Sequence, residues 1–100
     1  MLPIVWSVNA DDDLAEIIFF VGERNLLAAE KLWHLLHDSV LPLSDHPYLY
    51  KQSGRVPGTR EIVAHPNYII IYQVSENTVD VLRVLHSRQQ FPFGEWAPSL

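Results

Sequence analysis

The sequence predicts an α+β domain: an N-terminal αα-hairpin packed on one face of an antiparallel sheet, in the order β-α-α-β-β-β. Two changes of rhythm carry this expectation. Apolar residues recur at helical spacing between Leu14 and Val40, and from Thr59 onward the period falls to two. A third observation is the shortness of the later joints, Pro66–Asn67 and the "SENT" turn at Ser75–Thr78. Joints this short cannot cross a sheet, so the last three strands should form an antiparallel meander.

"PIVWSV" opens the chain as a strand of about five residues, rich in β-prone Val and Trp. Asn9 is then placed to cap a helix, with Asp11, Asp12 and Asp13 in its first turn, where the helix dipole favours negative charge. Leu14, Ile17, Ile18 and Val21 follow at i, i+3, i+4 and i+7, one apolar face. Gly22 and Arg24–Asn25 interrupt the pattern. A second helix runs to about Ser39 on Ala29, Leu32, Trp33, Leu36 and Val40. Two amphipathic helices with so short a joint should pair antiparallel. Pro42, Pro47, Gly54, Pro57 and Gly58 then mark a loop. "TREIVAH", "YIIIYQV" and "TVDVLRVLH" are the three later strands, and the first strand must join one edge of their meander.

Composition narrows the function classes. The 100 residues fit one domain, and 48% apolar against 19% charged residues favours a packed core over disorder. There is no cysteine, which excludes disulfides, thiolate metal sites and a cysteine nucleophile. The N-terminus lacks the basic region of a signal peptide, and no run approaches a membrane helix, so a cytoplasmic protein that meets no membrane is expected. Net charge is −5, divided as −6 over residues 1–50 and +1 over residues 51–100. That balance opposes indiscriminate nucleic-acid binding and leaves room for a local basic site in the second half.

Few motifs point to chemistry. His34, His37 and Asp38 stand at i, i+3 and i+4, a spacing that can serve a metal, but no His-Glu-x-x-His pattern accompanies them and no metal or other cofactor is expected. No phosphate-binding glycine loop or nucleophile elbow is present. In the second half Arg60 opens one strand, Tyr68 and Tyr72 share a face of the next, and Arg83 lies in the last. His86, Ser87, Arg88, Gln89 and Gln90 follow at its end. Rings and cations on one sheet suit stacking and phosphate contact. The plainer reading pairs Arg60 and Arg83 with Glu61 and Asp80 across strands, and Arg88 with Glu61.

One long stretch is more specific. "RVPGTREIVAHPNYIIIYQVSENTVDVLRVLHSRQQFP", Arg55 to Pro92, resembles the C-terminal half of RelE/ParE superfamily toxins. The shared pattern is Pro-Gly-x-Arg-Glu, His-Pro-Asn-Tyr, an apolar run ending Tyr-x-Val, and a strand closing His-x-Arg-Gln-Gln. "A-x-x-D-L-x-x-I" in Ala10–Ile17 and "AAEKLW" in Ala28–Trp33 extend the resemblance over about residues 2–92. It is strongest toward the ParE, plasmid-stabilisation branch, with residues 1–92 as the toxin domain and 93–100 as a tail.

The resemblance implies the toxin of a type II toxin–antitoxin pair, silenced by a cognate protein antitoxin in a hetero-oligomer. ParE-type members act on DNA gyrase, and RelE-type members cut messenger RNA on the ribosome. Ile69, Ile70 and Ile71 are apolar where the nuclease branch commonly carries an arginine, which favours a non-catalytic gyrase poison. The target-binding set is then Arg60, Tyr68, Tyr72, Arg83, His86, Arg88, Gln89 and Gln90. In the alternative, a ribosome-dependent ribonuclease, Arg60, His86 and Arg88 are catalytic. A third option is a member that binds its antitoxin without being toxic. Phe19, Phe20 and Trp33 are the expected apolar anchors for the antitoxin, which should lay a helix on the hairpin and a strand on a sheet edge.

Overall fold

A computed structural model describes residues 1–89. In chain order the elements are β1 (Ile4–Trp6), α1 (Val8–Gly22), α2 (Leu26–Asp38), a 3-10 turn (Leu41–Ser44), β2 (Arg60–His65), β3 (Tyr68–Val74) and β4 (Val79–His86). The strands lie in the order β1-β4-β3-β2. The meander is antiparallel as its short turns require, but β1 runs parallel to β4, so the sheet is mixed. The long connection through both helices explains the difference. It sets β2 at the far edge, and three alternating strands bring β4 back alongside β1 in the same direction.

The first helix begins earlier than its sequence predicts. Ser7, not Asn9, is the cap: its hydroxyl accepts the Ala10 N–H at 3.0 Å and donates to the Leu82 carbonyl at 3.0 Å. Ser7 N–H also donates to the Val81 carbonyl at 2.9 Å, so β1 passes into α1 with no free residue between them. Asn25 caps α2 through the Ala28 N–H. Ala10 and Leu14 from α1, and Ala29, Leu32 and Leu36 from α2, are buried, as the 3.6-residue rhythm required. No helix among the described residues is long and apolar enough to cross a membrane.

β3 is apolar in succession because it is buried on both faces. Ile70 and Tyr72 join Ile62, Val79, Val81 and Val84 in the core beneath the helices, while Ile69, Ile71 and Leu85 form a second cluster. Full burial of such side chains stabilises the fold by about 1.5–3 kcal/mol each. Val81 and Val84 both reach the helical core although an odd number of steps separates them. Strict alternation forbids that. The register slips by one residue, with Ile71 opposite Arg83 and Tyr72 opposite Val81, and this bulge at Leu82 restores the inward direction.

Candidate functional site

The end of β4 and the start of β3 bring three rings together. Tyr68 and His86 are register partners, their rings 5.5 Å apart and nearly perpendicular. The His65 ring lies 5.6 Å from that of Tyr68. Asn67 N–H donates to His65 Nδ1 at 3.0 Å, and Arg88 N–H donates to His86 Nδ1 at 3.1 Å. A ring nitrogen that accepts carries no proton, so each neutral imidazole holds its hydrogen on Nε2.

Much of the polar turn after His86 is occupied with itself. Gln89 Oε1 accepts the His86 N–H at 2.7 Å, and Gln89 N–H returns a bond to the His86 carbonyl at 2.9 Å. Ser87 donates from N–H and Oγ to the Asn67 and Pro66 carbonyls, and Arg55 reaches the Ser87 carbonyl at 3.3 Å. Arg88 is different. It is exposed, and no hydrogen bond or ion pair joins its guanidinium to another described residue.

Beside this turn a groove of about 420 Å³ runs between α1 and β4. Asp13, Glu16, Ile17 and Phe20 form one wall, and Tyr68, Arg83, Val84, Leu85, His86 and Gln89 the other. At its base Asp13 clasps Arg83 through two bonds, Nε to Oδ2 at 2.7 Å and Nη2 to Oδ1 at 3.1 Å, with both side chains 16% exposed. A fork-to-fork pair this shielded is stronger than an exposed one.

Arg60 stands elsewhere. It is opposite Tyr72, whereas His86 is opposite Tyr68. Four residues of extended strand separate those positions by roughly 13 Å. Arg60 Nη1 donates to the Tyr50 carbonyl at 2.7 Å, and its guanidinium lies 4.9 Å from the Tyr48 ring. The set Arg60, His86 and Arg88 therefore does not converge on one phosphate.

Several expectations change with burial. Tyr72 shares the Tyr68 face but is wholly buried, and its hydroxyl donates to the Pro47 carbonyl at 3.0 Å; it is a core residue and not a surface contact. Burial raises its phenol pKa above 10.0, an effect that the nearby Arg60 charge offsets only in part. Arg83 pairs with Asp13 of α1 and not with Asp80, although its register partner is Ile71 of the second cluster. Glu61 is paired with neither Arg60 nor Arg88. It is 5% exposed and takes Ser53 Oγ at 2.9 Å, Arg55 at 3.5 Å and Lys51 at 3.7 Å, since the 51–59 segment folds back along β2. Gln90 lies outside the described residues, as does the 93–100 tail.

The antitoxin candidates are open to solvent: Phe19 is 71% exposed, Phe20 53% and Trp33 37%. Arg24 covers one face of Phe20 at 4.0 Å. His37 is stacked between Trp33 and Trp6, at 4.4 and 5.8 Å, and His34 meets the Trp33 ring edge-on. Among the described residues no group of three His, Cys, Asp or Glu is placed to hold a metal.

Residues 4–91 match the family described as "ParE toxin of type II toxin-antitoxin system, parDE". The chain belongs to that family. This ParE-family toxin is 30% identical over 89 residues to "Toxin RelE2" of Caulobacter vibrioides, covering 87% of the chain and 97% of the relative. It is 33% identical over 90 residues to "Putative toxin Y4kP" of Sinorhizobium fredii, with 89% and 92% covered. Its fold is that of a structure titled "Chromosomal ParDE TA system from P. aeruginosa", with a TM-score of 0.77, 21% identity, and 86% and 96% of the two chains covered. A conserved hypothetical protein of Helicobacter pylori shares it more loosely, at a TM-score of 0.54 and 18% identity, with 91% of this chain and 100% of that one covered.

In this ParE-family toxin the residues that sequence reasoning missed are mostly acidic. Asp13 read as a first-turn helix residue, yet it belongs to a stripe with Glu16, Ile17 and Phe20 at i, i+3, i+4 and i+7. No local signal marks Asp13 as the partner of the Val84 N–H, which faces the side of β4 where β1 has ended. Glu61 offered no signal either, because its partners come from an irregular loop.

Proposed function

We propose that this toxin acts in the cytoplasm by binding and inhibiting DNA gyrase, without catalysis, and that a cognate antitoxin releases the block by covering it. The observation that carries this reading is the separation of Arg60 from His86 and Arg88 along the sheet. Phosphodiester cleavage needs its acid, base and charge-stabilising groups around one phosphorus, within hydrogen-bond reach. A surface that grips a large protein target can be spread across 20 Å or more, as an interface of ordinary size is. Tyr68, His86 and Arg88 at one end and Arg60 with Tyr48 at the other suit such a surface. The acidic groove wall and the net charge of −5 also fit poorly with a ribosomal RNA surface.

The second reading, ribosome-dependent cleavage of messenger RNA, rests on His65, Tyr68 and His86 lying together with both Nε2 atoms directed away from their backbone bonds. Purified toxin added to a gyrase supercoiling reaction, beside a ribosome-bound messenger cleavage reaction, separates the two. Inhibited supercoiling with intact messenger is expected. Cleaved messenger with normal supercoiling would replace gyrase by the ribosome as the target.

A further inference from the structure

Two histidines at one end of the sheet are held by the same device. In His65-Pro66-Asn67 the Asn67 N–H donates to His65 Nδ1, and in His86-Ser87-Arg88 the Arg88 N–H donates to His86 Nδ1. Each N–H belongs to a planar peptide whose other end is a carbonyl, that of Pro66 or of Ser87. A donor that grips the carbonyl therefore sets the direction of the N–H, and with it the ring nitrogen that accepts. Ser87 Oγ grips the Pro66 carbonyl at 3.1 Å. Arg55 Nη2 grips the Ser87 carbonyl at 3.3 Å, and among the described residues no other donor reaches that oxygen.

Arg55 comes from the irregular segment before β2 and is itself braced. Its Nη1 lies 3.5 Å from both carboxylate oxygens of Glu61. Its own N–H donates to Ser53 Oγ at 3.0 Å, and that hydroxyl donates to Glu61 at 2.9 Å. Glu61 is buried, so its charge has to be met by donors of this kind. One line of contacts results: the Glu61 carboxylate, the Arg55 guanidinium, the Ser87–Arg88 peptide and the His86 ring. Each bond in such a chain polarises the next, and the last group is the Nε2–H that His86 offers to solvent or to a target. Two nitrogens of one planar fork perform the two tasks, Nη1 toward Glu61 and Nη2 toward Ser87. A lysine ammonium, a compact charge on a flexible stem, does not reproduce that fork.

We propose that Arg55 is a positioning residue of the target surface. Braced on Glu61, it fixes the Ser87–Arg88 peptide, and through that peptide the His86 tautomer and the stance of Arg88. The role rests on the reading of His86 and Arg88 as target contacts. Without the brace the Ser87–Arg88 peptide is free to turn, and His86 Nδ1 loses its fixed donor. The imidazole hydrogen then divides between the two ring nitrogens, so Nε2 is a donor only part of the time. His65 is held through Ser87 Oγ and keeps its tautomer, which makes it the internal control.

The test uses the full chain labelled with nitrogen-15, about two pH units above the ordinary imidazole pKa. Ring-nitrogen spectra of the wild type should show hydrogen on Nε2 of both His65 and His86. In Arg55→Lys the His86 signals should move toward a mixture of tautomers and the Arg88 amide should shift, with His65 unchanged. Ser87→Ala, which deletes only the hydroxyl, should move His65 and spare His86. Arg55→Lys should melt close to the wild type, because Lys51 and Ser53 still meet Glu61. In supercoiling reactions it should require about three- to tenfold more toxin, the worth of one hydrogen bond to the target. Added to the pair His86→Ala and Arg88→Ala, it should cost nothing further. The assignment is overturned if the His86 signals of Arg55→Lys match the wild type, or if His65 moves with them. It is also overturned if Arg55→Lys inhibits supercoiling as strongly as an active wild type. Supercoiling untouched by the wild type overturns the gyrase reading instead, and the ring spectra then decide the role of Arg55 alone.

Discussion

Asp13 and Arg83, seventy residues apart, are joined by two hydrogen bonds, and the same Asp13 oxygen that takes Arg83 Nε also takes the Val84 N–H. One carboxylate therefore holds helix α1 to β4 and takes a backbone donor on the side of β4 that β1 leaves uncovered. Removing it takes two hydrogen bonds from a shielded guanidinium and leaves a backbone donor unmet. Asp13→Ala should destabilise the protein by roughly 2–4 kcal/mol in urea unfolding. Asp13→Asn, which keeps an acceptor oxygen, should cost about half as much. Equal stability of all three proteins would show that water replaces the carboxylate without loss.

Toxicity should fall by degrees. Under the gyrase reading Arg60→Ala, His86→Ala and Arg88→Ala each remove part of a broad contact, costing at most a few kcal/mol of affinity for the target. A catalytic group would show itself as a loss of roughly 10²–10⁴ in rate from a single substitution, with binding kept. Growth inhibition and supercoiling inhibition, measured with circular dichroism to confirm folding, distinguish a graded series from one abrupt loss.

Tyr72→Phe separates packing from hydrogen bonding. It keeps the ring in the core and deletes the hydroxyl that donates to the Pro47 carbonyl and meets the Tyr50 backbone, so a loss of about 0.5–1.5 kcal/mol is expected at neutral pH. The pH dependence has a definite sign. The folded phenol has its pKa raised above 10.0 by burial, so on passing pH 10 the unfolded chain loses a proton that the folded chain retains. Stability from this group is complete below pH 10 and declines as pH rises toward the folded value. Urea midpoints compared at pH 8 and pH 10.5 should fall further for the wild type than for Tyr72→Phe; parallel declines would assign alkaline loss to other groups.

Antitoxin binding should raise the melting temperature, because a ligand specific for the folded state adds about 2.7 kcal/mol at a hundred times its dissociation constant. The exposed Phe19, Phe20 and Trp33 are the expected anchors. Alanine at Phe20 or Trp33 should weaken the complex by about 1–2 kcal/mol or more in calorimetry; the free toxin's melting point should change little for Phe20→Ala and fall for Trp33→Ala, which also loses the ring contacts with His34 and His37. A complex indifferent to both substitutions would place the antitoxin off the hairpin.

Much of the fold was legible because periodicity reports burial directly. α1, α2 and the three later strands lie where 3.6- and 2-residue rhythms put them. Legibility failed where a contact joins distant segments. Nothing near Ile4 states that its partner is Val79, and nothing near Asn9 states that Ser7 will be held by Val81 and become the cap. The candidate site was legible in composition but not in geometry. Tyr68, His86 and Gln89 do line one groove, yet Tyr72 is sealed in the core and Arg60 belongs to the far end. Strand spacing along β3 separates them, and spacing becomes readable only once the register is known.

The neighbour relation between the first strand and the last also sets a timetable. Ile4 cannot meet Val79 until residue 79 has been made, which at roughly 5–20 residues per second takes about 4–16 s. Until then Ile4, Trp6 and the inner face of α1 lack the strand they rest on, and the groove has only one wall. Completion of the sheet is thereby deferred to the close of translation. An abbreviated product ending before β4 would carry both helices and their exposed aromatic flank, yet neither the groove's second wall nor a neighbour for β1.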